Sequence, residues 1–236
     1  MVPVVKIQKI QSALTESYPI RALGMSVRAS ENVLPPHSQE TVELFQRGLQ
    51  SVKSDLPRGA TVLDMGCGCG SLAMLAAQEL GDLDVKIYAS DLLPEAVATT
   101  RLNLLCFTDA HNLPLQIHVA PAGDLFQPVS TLHFDLIIFN APWVVSRARN
   151  RAEIAIHDEK QNTLRRFFDD LPSYLNPKGR LLIGYADASG TKVIDRLETM
   201  IDTASLAILN RFKERVATHR SKGKWEHITV YELVSE

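Results

Sequence analysis

The chain has 236 residues, 45% hydrophobic and 22% charged, with 25 Lys and Arg against 27 Asp and Glu for a formal charge of −2. That length supports one large domain or two small ones with a substantial core. The balance excludes disorder, collagen and coiled coil, and it argues against a nucleic-acid binder that works by bulk charge. The cysteines, three in all, exclude a disulfide scaffold, and no second pair beside Cys67 and Cys69 completes a metal site. The N-terminal stretch has no long apolar h-region, and no run approaches the ~18 apolar residues of a membrane span. The expectation is a soluble, cytoplasmic protein with no membrane partner and no metal.

Residues 1–54 read as helical, broken at Leu34-Pro35-Pro36-His37, with Ser38 placed as an N-cap for a helix through Ser54. They are expected to form an N-terminal helical extension, hinged at the prolines and closing over the rest as a lid. Pro57-Arg58-Gly59 marks the boundary to a second unit, 55–236. From there strands and helices alternate. Strands are predicted over Thr61–Asp64, Val85–Ser90, Leu115–Ala120, Phe134–Phe139 and Gly179–Tyr185. Helices are predicted over Ser71–Leu80, Pro94–Phe107, Asn162–Leu175 and Thr191–Thr203. Two last strands, Leu206–Arg215 and His227–Val234, flank a polar segment that suits a hairpin. Continuous apolar strands alternating with helices imply an α/β fold, a mostly parallel sheet covered on both faces with an antiparallel end.

The first of these strands runs into Asp64-Met65-Gly66-Cys67-Gly68-Cys69-Gly70 and then a helix. Alternating glycines let the backbone approach a ligand, and the helix N-terminus offers unpaired N–H groups. A dinucleotide fingerprint fails because Ser71 stands at its third glycine, and the Lys-Ser/Thr of a P-loop is absent. The pattern Asp-x-Gly-x-Gly-x-Gly resembles the first motif of class I S-adenosylmethionine-dependent methyltransferases, with their Rossmann-like seven-stranded sheet. That resemblance implies S-adenosylmethionine as cofactor, with Gly66, Gly68 and Gly70 against its methionine and ribose. It gives Asp91, at the end of the next strand, the ribose diol, with Leu92 beside it. It gives Asp124 the adenine amino group and Leu125 a backbone N–H to the ring. Asp64 either orients the methionine amine or braces the glycine loop. The plainer reading of Asp91 is a cap on the helix at Pro94.

Asn140-Ala141-Pro142-Trp143 follows a buried strand, at the sheet edge where open α/β folds bind ligands. It resembles the Asn-Pro-Pro-Tyr-type motif of the small-methyltransferase group, which acts on planar amide or base nitrogens, here with Ala141 in place of the first proline. The resemblance makes Asn140, Ala141 and Trp143 the catalytic set. The Asn side-chain oxygen and the next carbonyl each accept one N–H of the acceptor, and the aromatic ring stacks on it or faces the sulfonium. Two function classes follow. One is methyl transfer to a nitrogen of a small molecule, a protein glutamine or a base, with nucleic acid the less favoured partner. The other uses S-adenosylmethionine as sole substrate, closing an azetidine-2-carboxylate ring and releasing methylthioadenosine. A non-catalytic cofactor-binding subunit is a third reading, which the intact Asn140–Trp143 motif opposes. Arg147, Arg149 and Arg151 follow the motif and either meet an acidic acceptor or lie solvated.

Overall fold

A computed structural model describes residues 16–35, 39–111, 116–217 and 225–235 of the chain. Its centre is a seven-stranded sheet: β3 (Thr61–Met65), β4 (Lys86–Ser90), β5 (Ile117–Val119), β6 (Phe134–Asn140), β7 (Leu175–Ala186), β8 (Leu206–Ala217) and β9 (Trp225–Ser235), in the order β5-β4-β3-β6-β7-β9-β8. β3 to β7 are parallel, while β9 inserts antiparallel between β7 and β8. This is the mostly parallel sheet with an antiparallel C-terminal hairpin that the alternation predicts. The expected loop of that hairpin lies partly outside the described residues, as do residues 1–15, Pro36, His37, Ser38 and Leu115.

Helices cover both faces. α1 (Gln39–Val52), α2 (Ser71–Leu80) and α3 (Pro94–His111) pack on one, and α4 (Asn162–Asp170) and α5 (Lys192–Thr203) on the other. Period-two burial in the strands makes the division. Val62, Leu136, Ile138, Leu182 and Val230 join the first core, while Leu63, Ile137, Phe139, Leu181 and Ile183 join the second. A stack of Phe126, Phe167 and Tyr174 fills the second core. Within α/β crossovers such two-sided burial is what turns continuous apolar strands into a parallel sheet.

One expectation for the N-terminal part is corrected. Glu16–Ile20 (β1) and Met25–Ala29 (β2) are not helical but an antiparallel hairpin. Ile20, Val27 and Ala29 are buried while Pro19, Ser26 and Arg28 are exposed or partly so, a period of two. Gly24 closes the turn at φ 63°, a left-handed backbone that a helix cannot contain. α1 of the same part packs on the sheet. Phe45, Leu49 and Val52 of α1 are fully buried with Val62, Ile138 and Leu182 of the sheet. The strand predicted after the Pro-Lys-Gly turn begins earlier, at Leu175, with the turn absorbed as an irregularity against β6.

Candidate active site

The glycine loop joins β3 to α2. Gly66, Gly68 and Gly70 all hold positive φ, 67°, 54° and 82°. A Cβ on Gly70 would stand 2.9 Å from Thr100 Cγ2, so both conformation and space demand glycine there. A Cβ on Gly68 would meet nothing closer than 4.0 Å among the described residues. The loop is braced from α3. Thr100 donates to the Gly68 carbonyl at 3.0 Å, and Asn103 Nδ2 donates to the Cys69 carbonyl at 2.8 Å. Cys67 and Cys69 are buried, and burial pushes both thiols up, so they are packing groups rather than thiolate ligands.

Asp64 is the next-to-last residue of β3, behind the loop, 1% exposed. Its Oδ2 accepts from the Ala73 N–H at 2.9 Å, and its Oδ1 is buried with no partner among the described residues. Burial pushes its carboxyl up to about 8, opposed by the Ala73 N–H and reinforced by the charge of Asp91. An orphaned carboxyl oxygen beside an open glycine loop suits a cationic ligand group. The α-ammonium of S-adenosylmethionine is such a group, so these residues fit the cofactor that the sequence resemblance implies. The other oxygen holds the first turn of α2 through Ala73.

A proton count tests this fit. In the free folded protein at pH 7 the Asp64 carboxyl holds its proton, whereas in the unfolded chain it ionises near pH 4. Its contribution therefore makes stability fall as pH rises from about 4 to about 8. A cation placed on Oδ1 lowers the carboxyl's pKa again and expels the proton. Calorimetry at pH 7 in buffers of different ionisation enthalpy is expected to show up to about one proton released per S-adenosylmethionine bound. Asp64→Asn should abolish the release; a wild type that binds with no proton change removes Asp64 from the amine site.

Asp91 lies just past β4. Its Oδ2 accepts from the Gly68 N–H and its Oδ1 from the Leu93 N–H, each at 2.9 Å. It thus ties the loop to the turn that leads into α3, and both of its oxygens are already held by main-chain N–H groups. Burial raises its pKa, offset by these N–H groups. Leu92 beside it is 48% exposed, a large apolar surface at the rim of the loop. Asp124 is less free than the sequence suggests, because Arg166 of α4 pairs with its carboxylate at 2.5 Å. Any adenine contact must share that carboxylate with the guanidinium. Leu125 is buried at φ 45° and its N–H makes no bond within the described chain.

Asn140 is the last residue of β6, in parallel register with Gly184 of β7. It shares the sheet face of Ile138, and Asp64 shares that face two strand positions along β3. The Ala141 N–H donates to the Gly184 carbonyl at 3.1 Å. A proline could not make this bond, so the substituted position gains a tether in place of ring rigidity. Trp143 is half-buried and touches both cores. Ser189 clamps the segment beyond it, accepting from the Val145 N–H at 2.9 Å and donating to the Trp143 carbonyl at 3.4 Å. In the loop that follows, Arg149 pairs with Glu153 and Arg151 with Glu95, so these arginines fold the loop; Arg147 is exposed. His157 is buried, its Nδ1 2.9 Å from Ser146 Oγ. Among the described residues no cluster of His, Cys, Asp or Glu could hold a metal, and no helix is long and apolar enough to cross a membrane.

Gly184 is a site residue that the sequence reading passes over. A Cβ there would lie 2.9 Å from Asn140 Oδ1 and 2.8 Å from Phe45 Cζ. A lone glycine inside a predicted strand was the available signal, since it often marks a close approach. Gly184→Ala is expected to cost about 1–3 kcal/mol of stability by overpacking and to displace the Asn140 carboxamide. Thermal unfolding with parallel turnover measurements checks this. A variant with wild-type midpoint and wild-type turnover would show that the socket is loose.

A profile of the methyltransferase small domain family matches residues 43–214. Among curated proteins, the chain is 32% identical over 180 residues to a release factor glutamine methyltransferase of Rhodopirellula baltica, covering 74% of this chain and 51% of that one. It is 39% identical over 85 residues to a tRNA1(Val) (adenine(37)-N6)-methyltransferase of Klebsiella pneumoniae, covering 35% of this chain and 32% of that one. The chain thus spans about half the length of the first of these relatives. Among solved structures, a putative RNA methyltransferase of Pyrococcus horikoshii superposes with a TM-score of 0.60 at 16% identity, over 97% of this chain and 96% of that one. TYW2 of M. jannaschii, solved with AdoMet, superposes with a TM-score of 0.53 at 14% identity, over 90% and 84%. The structural likenesses show the shared fold; with the family match over most of the sheet, the chain belongs to the methyltransferase small domain family, and S-adenosylmethionine is the cofactor that goes with it.

Proposed function

We propose that the chain transfers the methyl group of S-adenosylmethionine to a planar amide or amine nitrogen held by Asn140 and Ala141. The observation that carries this is the free carboxamide of Asn140, seated over Gly184 at the ligand-binding end of the sheet with no bond to the described chain. The relatives named for glutamine and for adenine N6 support a nitrogen acceptor.

The cofactor supplies an electrophilic methyl on a sulfonium. This chain's residues do the rest. Asn140 Oδ1 and the Ala141 carbonyl each accept an N–H of the acceptor, which holds the nitrogen and turns its lone pair out of conjugation. The Ala141–Gly184 bond holds the main chain that carries both acceptors, and the Ser189 clamp holds the segment that follows, which supports a preorganised site. Trp143 offers its face to a planar acceptor. No strong base is needed, because the proton is lost after alkylation.

Arg149 and Arg151 are matched by Glu153 and Glu95, and the chain is slightly acidic overall. The pairing of these two arginines favours a small molecule or a protein amide over a nucleic-acid backbone as acceptor. The test is methyl transfer from labelled S-adenosylmethionine to a glutamine peptide, small amines and adenine oligonucleotides in parallel. Label in the amide or amine arm is the expected result. Label confined to the oligonucleotide arm would overturn the choice of acceptor while leaving the nitrogen chemistry in place.

A further inference from the structure

We infer that Asn103 is a positioning residue that couples the β1–β2 hairpin to the cofactor loop, so that docking of the hairpin and affinity for the cofactor strengthen each other. The inference rests on the cofactor reading above. Asn103 is buried on α3, 3% exposed. Its carboxamide serves two distant backbone segments at once. Oδ1 accepts from the Arg28 N–H at 3.0 Å, and Nδ2 donates to the Arg28 carbonyl at 2.8 Å and to the Cys69 carbonyl at 2.8 Å. The first pair reaches across 75 residues of sequence to β2, the last across 34 to the glycine loop.

Packing alone does not ask for this. A buried helix position is filled most simply by an apolar side chain, whereas a buried amide is tolerated only when its polar atoms find partners. Here both amide atoms end on main-chain groups of the hairpin and the glycine loop rather than on the central sheet. The Cys69 carbonyl precedes Gly70, whose left-handed conformation starts α2, so fixing that peptide fixes the direction of the loop's N–H groups. Thr99 and Thr100 extend the same contact, Thr99 to Ser30 at 3.3 Å and Thr100 to the Gly68 carbonyl. Past the hairpin, the Leu34 carbonyl reaches within 4.0 Å of where a Gly68 Cβ would stand. The chain after β2 therefore runs over the loop at its most open point, and one carboxamide holds both layers.

Such a link is reciprocal. If a docked hairpin raises cofactor affinity by some factor, bound cofactor stabilises hairpin docking by the same factor. Hydrogen exchange on the full chain, with and without saturating S-adenosylmethionine, reads it directly. In the wild type, amides of the glycine loop and of residues 17–29 should both slow on binding. In Asn103→Ala the loop should still slow at saturation, the hairpin should cease to respond, and affinity should fall about tenfold. A merely structural role would lower the melting temperature yet leave the hairpin's response to cofactor intact, and that result overturns the coupling. Should the variant fail to fold, the wild-type arm decides alone, because a loop that slows while the hairpin stays indifferent also overturns it. Slowing in neither segment would instead defeat the cofactor reading, and this inference with it.

Discussion

Asn140→Ala is expected to lower kcat by about 10²–10³ with little change in cofactor affinity. Losing one well-placed hydrogen-bond partner in a desolvated site typically costs about 2.7–4 kcal/mol at the barrier. The fold should tolerate the change, because the carboxamide bonds to nothing in the described chain and alanine only frees space beside Gly184. The split is diagnostic. An acceptor-binding group used equally in ground and transition states would raise KM, whereas a group used only as the nitrogen pyramidalises lowers kcat. Trp143→Ala provides the contrast, raising the acceptor KM through lost stacking. Steady-state kinetics on both variants measures this. An Asn140→Ala enzyme with near-normal turnover would remove the residue from the chemistry.

Asp91→Ala should weaken S-adenosylmethionine binding by about 1.5–3 kcal/mol, on the scale of hydrogen bonds to a charged group. The structure gives this loss two origins. If Asp91 holds the ribose diol as proposed, the diol loses its acceptor, and the Gly68 and Leu93 N–H groups lose theirs, loosening the loop itself. Asp91→Asn separates them, because one side-chain oxygen survives to brace the loop while the charge is gone. Calorimetry should place that variant between wild type and alanine. Unchanged affinity in a folded Asp91→Ala protein would contradict the ribose role. NAD should produce no thermal shift, since the loop lacks the dinucleotide glycine at Ser71.

The sheet was legible because its strands are long apolar runs separated by helices of clear period, as in Phe134–Asn140 followed by Asn162–Asp170. The glycine loop was legible because its residue types are dictated by main-chain geometry, positive φ at Gly66, Gly68 and Gly70. What sequence could not show is long-range pairing. Nothing local to Asp124 announces Arg166, and nothing local to Asn103 announces Arg28 and Cys69. The β1–β2 hairpin was not legible: at five residues each its strands match β3 and β4 in length, but polar Glu16, Ser17, Ser26 and Arg28 break up the apolar run that marks the sheet strands. Gly24, the one strong local cue to the turn, carried more information than the apolar spacing around it.

The central claim, methyl transfer from S-adenosylmethionine to a separate nitrogen acceptor, is tested most directly by mass spectrometry of the products. The full chain is incubated with S-adenosylmethionine alone, then with a glutamine peptide or small amine added. The account predicts S-adenosylhomocysteine that appears with the acceptor, together with an acceptor heavier by one methyl group. Methylthioadenosine formed from S-adenosylmethionine alone, with no dependence on acceptor, would contradict it.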